Sequence, residues 1–123
     1  MTTRYTAVIS RRKEDPVLVS LLHDDEIGSH PLVAEELAMG SLRARDNVLR
    51  HSAHLHRFPV LSHDELLVLV AAHALWGQGL SPVDAHLLGS VMLVPGARLW
   101  TGDKRLFRAA EERGVSFVEG TAD

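Results

Sequence analysis

The strongest constraint on this chain is an alternation: short strand-like stretches, each followed by a stretch patterned for a helix. "YTAVIS" sets Tyr5, Ala7 and Ile9 against Thr6, Val8 and Ser10, the period of a strand. "DPVLVSLLHD" follows, with Pro16 behind Asp15 as a helix's first turn tolerates. A brief strand is expected around "EIGSH", then a short helix over "PLVAEELAMG" closed by Gly40. "RARDNVLRHSAHLHR" reads as a polar surface helix, and "FPVL" as another short strand. Ser62 and Glu65 form a capping box, and "LLVLVAAHALW" runs from it to a stop at Gly77. That stretch is apolar nearly all round, so the helix is expected to be buried. "SPVDAHLLGSVMLVPG" has Ser81 as cap, Pro82 at the first helical position and Pro95-Gly96 as terminator. The strand "RLWTG", a helix begun by Asp103 and a final "VSFVE" complete the pattern. Strands and helices in alternation imply a parallel sheet covered on both faces, an α/β architecture.

The chain has 123 residues, enough for one domain with a genuine core, expected to span 1–123. It is 46% apolar and 24% charged, as ordinary globular proteins are. There is no run of 18 uncharged apolar residues and no apolar signal core at the N-terminus, so the expectation is a cytoplasmic protein without a membrane segment. The absence of cysteine excludes disulfides, thiolate catalysis and cysteine-zinc sites. A formal net charge of −3 argues against a coat of nucleic acid but leaves room for a local basic groove.

Three acidic residues sit where a merely solvated surface does not require them. Glu36 is flanked by apolar residues in "VAEELAMG", Asp84 lies one turn into an otherwise apolar helix, and Asp103 follows the strand "RLWTG". In an open parallel sheet, strand ends feed helix starts along one edge, and ligands bind there. Asp84 and Asp103 would share that edge. Carboxylates brought together repel unless a cation neutralises them, and a hard divalent ion with oxygen ligands is the natural partner. Such an ion activates water and stabilises a phosphoryl oxyanion in phosphodiester hydrolysis. Spacing alone leaves the plainer readings open: Asp103 as an N-cap, Asp84 as a first-turn dipole residue, and Glu36 as a surface glutamate beside Glu35.

"HPLVAEELAMGSL", "SHDELLVLVAAHALWGQGLSPVDAHLLGSVML" and "ARLWTGDKRL", in this order and spacing from His30 to Val115, resemble the VapC-type toxins of the PIN-domain family. The resemblance implies a three-layer domain, a central parallel sheet flanked by helices, acting as a small metal-dependent endoribonuclease. It implies a magnesium or manganese ion held by Glu36, Asp84 and Asp103, with Thr101 as the accompanying hydroxyl residue. Lys104 and Arg105, by their position beside Asp103, are placed to meet an RNA phosphate near that metal, the plainer reading being solvated surface charge. The implied partners are RNA, a cognate antitoxin protein that neutralises the toxin, and a second copy of the chain in a homodimer. The N-terminus departs from the family, which normally begins with a hydrophobic strand ending in a ligand aspartate. A gapless count back from Asp15-Pro16 puts Thr3 at that position, whereas anchoring on the strand puts Ser10 there, and neither is a carboxylate. An alternative reading is therefore a PIN-fold binding module, weak or inactive in catalysis, that retains antitoxin binding and dimerisation.

His51, His54 and His56 do not share one helical face, so a solvated basic helix is expected rather than a zinc site; its arginines Arg43, Arg45, Arg50 and Arg57 are candidates to line an RNA path. His73 and His86 sit among apolar residues and read as core histidines with a hydrogen-bond partner, and Trp76 and Trp100 as packing residues.

Overall fold

The alternation of strand and helix folds as one all-parallel sheet. In the computed structural model, residues 6–9, 27–39, 46, 50 and 56–117 are described, and all that follows concerns them. The strands are β1 (Thr6–Ile9), β2 (Ile27–Ser29), β3 (His56–Arg57) and β4 (Arg98–Thr101), in the order β3-β2-β1-β4. β1 pairs with β2 from Thr6 opposite Ile27, and with β4 from Thr6 opposite Arg98 to Ile9 opposite Thr101. The helices are α1 (Pro31–Met39), α2 (His63–Ala72), α3 (Pro82–Met92) and α4 (Lys104–Glu112). Beyond α4 the chain returns to the free edge of β4: Leu99 N–H donates to Val115 O, and Phe117 N–H donates to Leu99 O at 2.9 Å.

The core lies where α3, β4 and α4 meet. Leu87, Leu88 and Val91 of α3, Leu99 of β4, and Leu106, Ala109 and Ala110 of α4 are all buried. Gly89 brings the neighbouring layer close: a Cβ there would stand 2.5 Å from Leu61 Cδ1 and 2.7 Å from Leu69 Cδ2.

Two elements differ from expectation. The third strand occupies His56–Arg57 rather than "FPVL". Phe58 N–H still reaches Ser29 O at 2.8 Å, but Pro59 has no N–H to continue the ladder. Phe58 is buried instead by its ring, which lies where a Cβ on Gly28 would be. α2 ends at Ala72, short of Gly77, with His73 as an exposed C-cap rather than a core histidine. Nor is α2 buried all round. Leu66 is covered and Leu69 and Val70 pack partly against the core, while Leu67 is 54% and Val68 68% exposed. The reason is layering: a helix packed on one side only covers a single stripe, whatever the composition of its other faces. Trp76, in the turn after α2, is likewise exposed rather than packed, whereas Trp100 stacks at a tilt on Phe117.

Asp46 and Arg50 are helical and exposed, as expected of the polar helix, but His56 and Arg57, expected to close that helix, form β3 instead because they pair with Gly28 and Ser29 of β2. The "DPVLVSLLHD" helix, the Gly40 stop, Thr3, Ser10, His51 and His54 lie outside the described residues.

Candidate metal centre

In the strand order β3-β2-β1-β4, β1 is the strand from which the chain steps outward in both directions. A crevice forms at the carboxyl ends of the strands on either side of such a switch point, and ligands bind there. Ile9 of β1 and Thr101 of β4 face each other at that edge. Gly102 turns the chain, and Asp103 caps α4: its Oδ1 accepts from Arg105 N–H at 2.9 Å and Leu106 N–H at 3.1 Å. Thr101, buried at the strand end, accepts the Asp103 N–H on Oγ1 at 3.1 Å. The hydroxyl thereby fastens the main chain that carries the aspartate.

Asp84 is the third residue of α3, and half-buried. With Ser81 it makes a reciprocal capping box: Ser81 N–H donates to Asp84 Oδ2 and Asp84 N–H to Ser81 Oγ, both at 3.1 Å. Both aspartates thus combine a structural duty at a helix start with a carboxylate held in fixed orientation. Arg105 links the two starts. Its side chain from the first turn of α4 lies along Gly79, just ahead of the Ser81 cap, so that a Cβ on Gly79 would come within 2.8 Å of Arg105 Cδ. Gly79 also has φ +78°, a conformation side chains disfavour. Lys104 and Arg105 are exposed, and neither forms an ion pair with a described residue.

Glu36 lies on α1, whose backbone is described although this side chain is not. Among the described residues no three His, Asp or Glu side chains gather as a metal-binding group. The donor chemistry fits a hard divalent cation nonetheless: magnesium takes one or two protein carboxylates and keeps several waters, and Asp84 and Asp103 offer only oxygen.

One buried polar cluster escaped sequence reasoning. His30, 1% exposed, accepts the Leu32 N–H on Nδ1 at 3.1 Å, and its Nε2 lies 3.1 Å from Ser90 Oγ on α3. Ser90 Oγ lies 2.6 Å from Pro59 O and 2.9 Å from His86 O. His86 is partly buried, as expected, but its Nδ1 has no partner among the described residues. The available signal was a histidine directly before a helix-starting proline; the link to Ser90 left no trace in the sequence.

A switch-point sheet with aspartates at two helix starts over its carboxyl edge defines a parallel α/β domain of the kind that offers its strand ends to ligands. The chain belongs to the PIN-domain family, which it matches over residues 6–112. It is a homologue of Ribonuclease VapC32 of Mycobacterium tuberculosis, a VapC toxin. The two are 60% identical over 108 residues, covering 88% of this chain and 87% of that protein, in both strain CDC 1551 / Oshkosh and strain ATCC 25618 / H37Rv. Among solved structures, PAE2754 from Pyrobaculum aerophilum superposes with a TM-score of 0.54 at 16% identity, covering 94% of this chain and 88% of that one. That likeness is one of fold.

Proposed function

We propose that this chain is a toxin ribonuclease that hydrolyses RNA phosphodiester bonds with a divalent cation, magnesium or manganese, held by Asp84, Asp103 and Glu36. The observation that carries the reading is the pair of capped aspartates at the switch-point edge, in a chain 60% identical to a ribonuclease. The caps orient the two carboxylates before any ligand arrives, and Thr101 fixes Asp103 from behind. When bound, the cation supplies an activated water and charge stabilisation at a phosphoryl oxygen. Lys104 and Arg105 bring positive charge to the RNA backbone beside it, and the seat of Arg105 on Gly79 supports that role.

The partners follow from the same reading. A cognate antitoxin would fill an apolar groove between helices and bring a basic side chain to the acidic corner. The exposed Leu67 and Val68 of α2, with Trp76 in the turn that follows, support a homodimer through an apolar helical face. The reading places a single domain over 1–123 in the cytoplasm; no described helix is long and apolar enough to cross a membrane. The second reading, a binding module with little hydrolysis, is favoured by one observation: β1 ends at Ile9 and is followed by Ser10, not aspartate.

Manganese titration by calorimetry, beside RNA cleavage with and without EDTA, tests the proposal. Weak but measurable manganese binding, cleavage abolished by EDTA, and loss of both in Asp84→Asn are expected. Manganese affinity unchanged in Asp84→Asn would overturn the site. EDTA-insensitive cleavage would overturn the metal's role, and binding of antitoxin without cleavage would favour the binding module.

A further inference from the structure

A histidine as deeply buried as His30 must satisfy both ring nitrogens, and its two hydrogen bonds fix how it does so. Nδ1 accepts from Leu32 N–H, so it carries no proton, and in the neutral ring the proton sits on Nε2. Nε2–H therefore donates to Ser90 Oγ, whose own single proton goes on to the carbonyl of Pro59 or His86. The chain of donation runs one way and has no slack.

Its two ends lie on different helices. Pro31 has no amide proton, so Leu32 offers the first free donor of α1, and His30 caps the helix by taking it. Ser90 sits on the buried side of α3, the helix that begins with the Asp84 capping box. A contact made only of apolar side chains lets one helix rotate and slide on another; a directional bond from the cap of α1 to Ser90 on α3 restrains both motions.

We propose that His30 is a positioning residue for the nuclease centre, tying the start of the helix that bears Glu36 to the helix that bears Asp84 through Ser90. The proposal rests on the metal-nuclease reading above. The tie sets the spacing of two elements that must both supply carboxylates, in the way that outer-shell partners orient metal ligands.

Two substitutions divide the two bonds. His30→Asn keeps an acceptor near Nδ1 but is too short to reach Ser90, and Ser90→Ala removes the tie from the other end. Both variants should unfold cooperatively and keep slow amide exchange at the start of α1. Both should lose about tenfold or more in kcat for manganese-dependent RNA cleavage, with KM little changed. The double variant should be no worse than Ser90→Ala alone, because that substitution already removes the bond that His30→Asn removes, together with the bonds to the Pro59 and His86 carbonyls. His30→Gln, whose amide reaches the Nε2 position, should recover part of the loss. Wild-type kcat in both single variants, or losses that add in the double, would overturn the positioning role. Nitrogen-15 NMR of the histidines reads the tie without activity: His30 should show protonated Nε2 and bare Nδ1 at neutral pH. The opposite tautomer would overturn the tie itself. The expected tautomer in a protein that neither binds manganese nor cleaves RNA would overturn the nuclease reading, and the positioning role with it.

Discussion

An asparagine caps a helix about as well as an aspartate but carries no charge, so Asp103→Asn separates the two duties of that residue. Its unfolding midpoint should stay near that of the wild type while manganese binding, followed by calorimetry, is largely lost. Asp103→Ala should lose the cap as well and be destabilised by about 1 kcal/mol in denaturant titration. Retention of manganese affinity by Asp103→Asn would leave the aspartate as a cap alone. His30 makes a prediction about pH. Burial first, and then electrostatic repulsion from His86, hold its imidazole below the usual 6.5. The unfolded chain accepts a proton below that value and the folded chain refuses it. Stability is therefore full above pH 6.5 and falls as the pH drops from there toward the lower folded value. Acid also takes from Leu32 its acceptor, since a protonated Nδ1 cannot cap α1. Denaturant titrations across this range should show a smaller decline for His30→Asn than for the wild type.

At the scale of elements, the sequence announced its helices by their ends. Ser62 with Glu65, Ser81, and Asp103 all cap as their residue types require, and Asp84 adds a return bond to Ser81 that its place in the first turn did not announce. Because Asp84 and Asp103 both belong to those caps and are also proposed ligands, much of the candidate site was legible as local structure. The environment of α2 was not, since apolar composition records what a helix tolerates and not which neighbours it has. His30 was illegible for a related reason: its partner Ser90 stands 60 residues away, and no local pattern records a contact of that span. The exposed side of α2 carries its own prediction. Leu67→Glu with Val68→Lys should change folding stability by no more than about 0.5 kcal/mol per site, as surface substitutions usually do. The same pair should convert a dimer to a monomer in sedimentation equilibrium; a dimer that survives it uses another face.

For the whole molecule, the N-terminal strand is the point at which sequence and family part. Thr3 precedes β1, whereas Ser10 follows Ile9, which is opposite Thr101 at the carboxyl edge. Ser10→Asp should raise both manganese affinity and RNA cleavage, and Thr3→Asp should change neither. The reverse result would favour the gapless alignment, and no effect from either would strengthen the binding-module reading. β1 also matters for when the protein becomes dangerous. It is made before the other three strands, yet one of its two edges waits for β4, with Thr6 paired to Arg98 more than ninety residues later. Contacts of such long range close late, after most of the polypeptide has been made. Asp103 comes later still in the chain. On the proposed reading, a nascent toxin has no assembled acidic corner while its later half is still being made beside the RNA of the ribosome, and a product interrupted before Asp103 never gains one.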